Sequence, residues 1–303
     1  MRDLRIIFMG TPEFAVASLS RLVESGNNVI GVVTAPDRPK GRGQKLALSP
    51  VKEFADSHDI KVFQPANLKA KDFHEQLKIL KPNLFVVVAF RMLPEVVWSI
   101  PEFGTFNLHA SLLPQYRGAA PINWAIINGE SETGVTTFFI KHEIDTGNII
   151  MQDAEPINEH DTAGSLYERL MHKGADLVLK TVRAIAKDDF TLTAQPQEIE
   201  IKHAPKIFKE DCKIDWTKNS KEIYNFIRGL SPYPSAWTTF NNKSYKLFEV
   251  EISEGSLAPG EPISDGKSNI KVGPADGVLS ILTLQVEGKR KMSTIEFLKG
   301  NTI

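Results

Sequence analysis

Along the longer, N-terminal part of this chain, short runs of consecutive apolar residues alternate with stretches whose apolar positions recur every three or four residues. Residues 4–9, apolar apart from Arg5, predict a buried strand. Thr11 then offers an N-cap hydroxyl with Pro12 at the first helical position, and a helix is expected to run to Gly26. Residues 29–34 predict a second strand, whereas 35–48, rich in proline, glycine, lysine and arginine, show no periodicity and predict a long exposed loop. A helix from Pro50, a short strand near Val62 and a helix over 71–80 lead to an apolar strand at 84–89. Further strands are expected at 105–109, 135–140 and 148–155. A helix over 121–128 separates the first two, and a long helix over 162–187 follows the last. Continuous apolar strands alternating with helices argue for an α/β fold with a doubly wound, mostly parallel, Rossmann-like sheet.

The pattern changes from about residue 187. Residues 195–203 read as a connecting stretch, and beyond Phe208 short strands dominate, interrupted by one amphipathic helix over 220–229. Turn signals at Asn241-Asn242, Pro259-Gly260 and Asp265-Gly266 suggest a small β-barrel as a second domain. The expected division is a first domain over 1–190, a linker over 191–207 and a second domain over 208–303.

A length of 303 residues suits two domains. The 36 basic and 37 acidic residues nearly cancel, so any nucleic-acid partner has to be met by local basic patches. Cys212 is the only cysteine, which excludes an internal disulfide and any multi-cysteine metal site, and an inert thiol is expected there. No metal-ligand spacing stands out elsewhere. The longest apolar run, 84–90, is far short of the roughly 20 residues a membrane span needs. With a strand at the very start and no charged-then-apolar leader, a cytoplasmic protein is expected, without membrane contact and acting as a monomer.

Candidate chemistry concentrates after the strand at 105–109. Asn107 and His109 are two residues apart, so an extended strand projects both from one face. In a doubly wound sheet, ligands bind beyond the carboxyl ends of strands, where this pair sits. Asp145, in the turn-forming Asp145-Thr146-Gly147, would complete an Asn/His/Asp group. Such a group can handle a proton on an amine while stabilising a carbonyl oxygen that becomes negative, which predicts an acyl-group transferase. His142 and Glu143 are expected to face solvent. The first strand–helix turn, Met9-Gly10-Thr11-Pro12, lacks a G-x-G-x-x-G pattern, which speaks against a nicotinamide dehydrogenase. Four basic residues against one acid in 37–45 could grip phosphates, although a non-catalytic nucleic-acid-binding protein would leave Asn107, His109 and Asp145 unexplained.

The run Asn107-Leu108-His109-Ala110-Ser111-Leu112-Leu113-Pro114, then Tyr116-Arg117-Gly118 and Pro121, with Asp145-Thr146-Gly147 downstream, resembles the folate-dependent formyltransferase family. The opening at 8–14, the loop at 36–43, the motif at 227–234 and the ending at 297–300 carry the resemblance over essentially the whole chain. It implies transfer of a formyl group from 10-formyltetrahydrofolate to the amino group of methionine on initiator tRNA. The alternative acceptor is a small amine, such as glycinamide ribonucleotide or an amino sugar nucleotide. It further implies that Asn107, His109 and Asp145 carry the chemistry, and that Ser111, Leu112, Leu113, Pro114, Arg91, Met92 and Leu93 belong to the folate site. By the same resemblance Arg38, Lys40, Arg42 and Lys45 would meet the tRNA; Phe14, beside the first strand–helix turn, is a reasonable wall for the methionine pocket, and the lack of metal-ligand spacing predicts that no metal takes part. The second domain would be an OB-like barrel supporting the tRNA. Glu143 stands where the family commonly has a glycine, two residues before the aspartate.

Overall fold

The computed structural model describes all residues except 41–44, 197 and 199, and it leaves the side chains of Lys40 and Lys45 undescribed. Arg42 therefore lies outside the described residues, as do those two lysine side chains. By mutual contact the chain forms two compact units that interleave along the sequence: 1–117 with 134–155 and 169–202, and 118–133 with 156–168 and 203–303.

The N-terminal part contains, in order, β1 (Ile6–Gly10), α1 (Glu13–Glu24), β2 (Val29–Val33), β3 (Arg38–Lys40), β4 (Lys45–Ala47), α2 (Pro50–Ser57), β5 (Val62–Phe63) and α3 (Lys71–Ile79). These are followed by β6 (Leu84–Val88), α4 (Glu95–Trp98), β7 (Thr105–His109), β8 (Arg117–Gly118), α5 (Pro121–Ile127), β9 (Glu132–Phe139), β10 (Ile149–Pro156) and α6 (Ala163–Lys187). Seven strands form one sheet in the order β10-β9-β7-β6-β1-β2-β5. The pairings β1–β2, β1–β6, β6–β7 and β2–β5 are parallel, whereas β9 runs antiparallel to β7. This is the expected Rossmann-like sheet, mixed at one side. β1 and β6 are buried along their whole length, as strands covered on both faces must be. Strand order reverses beside β1, so the carboxyl ends of β1 and β6 open the crevice in which such sheets hold ligands.

Two local expectations are corrected. Thr11 is not the N-cap of α1: Pro12 takes that position in an extended conformation and the helix begins at Glu13, whose carboxylate suits the positive end of the helix dipole. Residues 35–48 are not a structureless loop. Arg38, Pro39 and Lys40 pair antiparallel with Ala47, Leu46 and Lys45, and strands this short leave no periodicity to read. Gly10 is needed for packing, because a Cβ there would lie 2.5 Å from that of Ala15 and 2.9 Å from the Val88 carbonyl oxygen.

The C-terminal part, which together with 118–133 and 156–168 makes the other unit, holds β11 (His203–Ala204), a 3-10 turn at Glu210–Cys212, α7 (Ser220–Leu230), β12 (Ala236–Phe240), β13 (Lys243–Ser253), β14 (Pro262–Ser264), β15 (Ile270–Val272), β16 (Val278–Val286), β17 (Met292–Ser293) and α8 (Thr294–Leu298). Its strands form a curled antiparallel half-barrel in the order β12-β13-β16-β15-β14, with β17 on β16. Asn241 and Asn242 both have positive φ, which suits the tight β12–β13 hairpin, and register shifts near Glu249 bend the long β13–β16 pair. The core gathers Phe240, Tyr245 and Phe297 with Ile223, Ile227 and Leu230 of α7, a helix started by the Asn219/Glu222 capping box. Cys212 is buried and its thiol donates to the Phe208 carbonyl at 3.2 Å; burial pushes that thiol up, as befits an inert group.

Candidate active site

β7 delivers Asn107 and His109 at its carboxyl end, its backbone held between β6 and β9. Asn107 is half-buried, and its carboxamide has no hydrogen-bond partner among the described residues, so it can donate to a ligand. His109 is buried. Its Nε2 lies 2.8 Å from the Tyr116 carbonyl oxygen. A carbonyl only accepts, so Nε2 carries the hydrogen, and Nδ1 is the nitrogen that exchanges a proton. That Nδ1 faces Asp145 Oδ2 at 3.8 Å, with side-chain exposures of 7% and 13%. The three residues singled out in the sequence therefore share one unit. His109 and Asp145 face each other across a gap slightly longer than a hydrogen bond.

Asp145 adopts a left-handed backbone with φ of 56°. The Thr146 hydroxyl donates to the Glu143 carbonyl at 3.1 Å across the turn. Gly147 is obligatory: a Cβ at that position would lie 1.6 Å from the Phe139 carbonyl oxygen. Glu143, where the family commonly has glycine, is not among the positive-φ residues, so a side chain is accommodated there. His142 and Glu143 are exposed, as expected. Gln195 donates from Nε2 to the carbonyls of Asp145 and Gly147, each at 2.8 Å, and accepts from Arg117. Neither Gln195 nor Arg117 was assigned a role from sequence; Arg117 belongs to the Tyr116-Arg117-Gly118 motif, but nothing local marks Gln195.

The segment expected to meet folate is held by a buried polar relay. The Ser111 hydroxyl donates to the Gln115 carbonyl at 2.7 Å, and the Ser111 carbonyl accepts from Thr136 Oγ1 at 2.6 Å. Thr136 Oγ1 accepts from the Leu113 amide at 3.1 Å and from Gln152 Nε2 at 2.9 Å. Ser111 and Leu113 are buried, Leu112 and Pro114 half-buried. Downstream of β6, Arg91 and Met92 are exposed and Leu93 is packed in the core. Phe14, on α1, is buried.

A cavity of about 430 Å³ opens past the ends of β1, β2 and β6, lined among others by Thr11, Arg38, Leu48, Ser49, Phe90 and Arg91. Arg91 donates to the Pro65 and Ala66 carbonyls, and burial first, then the nearby Arg38 charge, holds its guanidinium below the ordinary arginine range. The neighbouring acid, Asp37, is taken by Lys52 at 2.5 Å, a hydrogen bond that lowers its carboxyl below the usual range. Two arginines thus line a cavity that has no acidic residue in its lining among the described residues.

Residues 4–182 match the family described as formyl transferase, and residues 206–302 match formyl transferase, C-terminal domain. The chain is 51% identical to the methionyl-tRNA formyltransferase of Bacteroides fragilis, over 98% of this chain and 95% of that protein. Identity to the methionyl-tRNA formyltransferase of Flavobacterium johnsoniae is also 51%, over 100% of this chain and 98% of the relative. Among solved structures, the N-formyltransferase of Helicobacter canadensis, in complex with folinic acid and dTDP-3-aminofucose, matches with a TM-score of 0.68. There the identity is 24%, over 95% of this chain and 100% of that chain, so the likeness is one of fold.

The Asp145 turn makes a steric prediction. Gly147→Ala should lower unfolding free energy by about 1–3 kcal/mol, the usual cost of overpacking, in urea titrations. Gly300→Ala, where an added Cβ meets nothing within 4 Å, should leave the midpoint unchanged. Equal midpoints for the two variants would contradict the tight turn.

Proposed function

The chain belongs to the formyl transferase family, and from that premise we propose that it transfers the formyl group of 10-formyltetrahydrofolate to the amino group of methionine on initiator tRNA, in the cytoplasm and as a monomer. The observation that carries the chemistry is the approach of Asp145 Oδ2 to 3.8 Å from Nδ1 of His109, on the strand that also carries Asn107, whose carboxamide is unpaired among the described residues. The acceptor is supported by full-length relatives about half identical that bear the name methionyl-tRNA formyltransferase.

In this mechanism the methionyl amine, neutral once pH passes about 7.7–8.0 for a free α-amino group, adds to the formyl carbon. The carbonyl becomes a tetrahedral oxyanion. Asn107 Nδ2–H and the imidazolium Nδ1–H donate to it, and Asp145 balances the imidazolium charge and accepts the amine proton. Collapse breaks the bond between the formyl carbon and the folate nitrogen, which takes up that proton. The 3.8 Å gap suits these separate roles, because Nδ1 is near enough to feel the carboxylate and is not locked to it.

Residues 1–190 would act as the catalytic domain and, across a linker at 191–207, residues 208–303 would support the tRNA. Folate would contact 111–114 and 91–93, of which Arg91 and Met92 are exposed. Arg38, Lys40, Arg42 and Lys45 would meet tRNA phosphates, and Phe14 would stand behind the methionine pocket. The uncompensated Arg38–Arg91 pair supports an anion in the crevice.

Methionyl-initiator tRNA with 10-formyltetrahydrofolate should yield formylmethionyl-tRNA, with glycinamide ribonucleotide and an amino sugar nucleotide unreacted; the reverse preference would replace the proposed acceptor. His109→Ala and Asp145→Asn should each lower turnover about 10²–10⁴-fold with the fold retained. Near-normal turnover by His109→Ala would remove its assigned role. Deletion of residues 40–43 should abolish tRNA formylation and leave folate binding intact; unchanged tRNA formylation would dismiss the basic segment as a tRNA contact.

A further inference from the structure

Gln195 lies outside any helix or strand, yet its carboxamide is fully engaged. Oε1 accepts from Arg117 Nε at 3.1 Å and Nη2 at 2.6 Å, while Nε2 donates to the carbonyls of Asp145 and Gly147, both at 2.8 Å. Two acceptor positions and two donor hydrogens exhaust what a glutamine offers. Its orientation is forced, because a guanidinium only donates and a carbonyl only accepts. The side chain is 8% exposed, so these bonds form largely away from water, where an unpaired partner is costly. Just before it, Thr193 and Ile149 exchange backbone hydrogen bonds at 2.8 and 2.9 Å, tying the segment to the start of β10.

The group being gripped is a strained one. A left-handed conformation costs a non-glycine residue roughly 1–2 kcal/mol, and it persists where the surroundings over-determine it. Asp145 has that conformation, and Gln195 holds both its carbonyl and that of Gly147.

We infer that Gln195, oriented by Arg117, is a positioning residue that fixes the Asp145 turn and keeps its carboxylate opposite His109 Nδ1. The inference rests on the formyl-transfer reading of the site. Gln195 touches no reacting atom; it acts through Asp145. Glutamate at position 195 would keep the Arg117 partner and the side-chain shape, but it would turn an oxygen toward two carbonyl oxygens.

The test compares Gln195→Glu and Gln195→Ala, alone and combined with Asp145→Asn, in the full-length protein. Each Gln195 variant should lower kcat about 10–100-fold, the scale of a small misplacement of a reacting group, with KM for methionyl-tRNA within about twofold. In the Asp145→Asn background the same changes should cost less than about twofold, because the positioned carboxylate is already gone. Amide exchange over 143–149 should quicken in both variants, a readout that needs no catalysis. Wild-type kcat in Gln195→Glu, losses that simply add to that of Asp145→Asn, or unchanged exchange over the turn would overturn the inference. If the unaltered protein formylates no tested amine, the functional reading falls, and the exchange measurement alone decides whether Gln195 holds the turn.

Discussion

A single backbone carbonyl decides what the histidine of this site can do. Tyr116 O accepts from His109 Nε2, which fixes the ring and leaves Nδ1 as its proton-exchanging nitrogen. The carbonyl is itself held: Tyr116 is left-handed, with φ of 59°, and its amide donates to the Lys202 carbonyl at 2.6 Å. Rotate that peptide and the imidazole loses its anchor and its place opposite Asp145.

Around the site, rigidity comes from polar groups with full sets of partners. Thr136 links Ser111, Leu113 and Gln152, and Gln195 links Arg117 to the turn at 145–147. Networks of this kind are stabilising only when complete, since a buried donor or acceptor left unpaired costs about 1–3 kcal/mol. The Thr136 group lies where β7 pairs with β9, and the Gln195 group fixes the turn that carries Asp145 opposite the buried His109. Asn107 is the exception. Its carboxamide is left without a partner among the described residues, as a group meant for a developing charge would be.

What the sequence made legible follows from spacing. Asn107 and His109 share a face because strands have a period of two, and Asp145 was marked by turn-forming neighbours. The parallel sheet and the half-barrel were legible because continuous apolar runs and paired-asparagine turns are local signals. Gln195 was not, because its role is set by partners 78 and 50 residues away in a stretch with no periodicity. The strand pair at 38–40 and 45–47 escaped for a related reason: three residues per strand carry no pattern. Thr11 misled because Ser, Thr and Asp caps dominate helix starts, and here an extended proline takes the place.

The tautomer of His109 tests this account most directly. Nitrogen-15 NMR of histidine-labelled protein, with His109→Asn for assignment, reports which ring nitrogen carries the hydrogen in the neutral state. The account predicts a protonated Nε2 and a bare Nδ1. A neutral imidazole protonated at Nδ1, or one exchanging freely between the two forms, would contradict it.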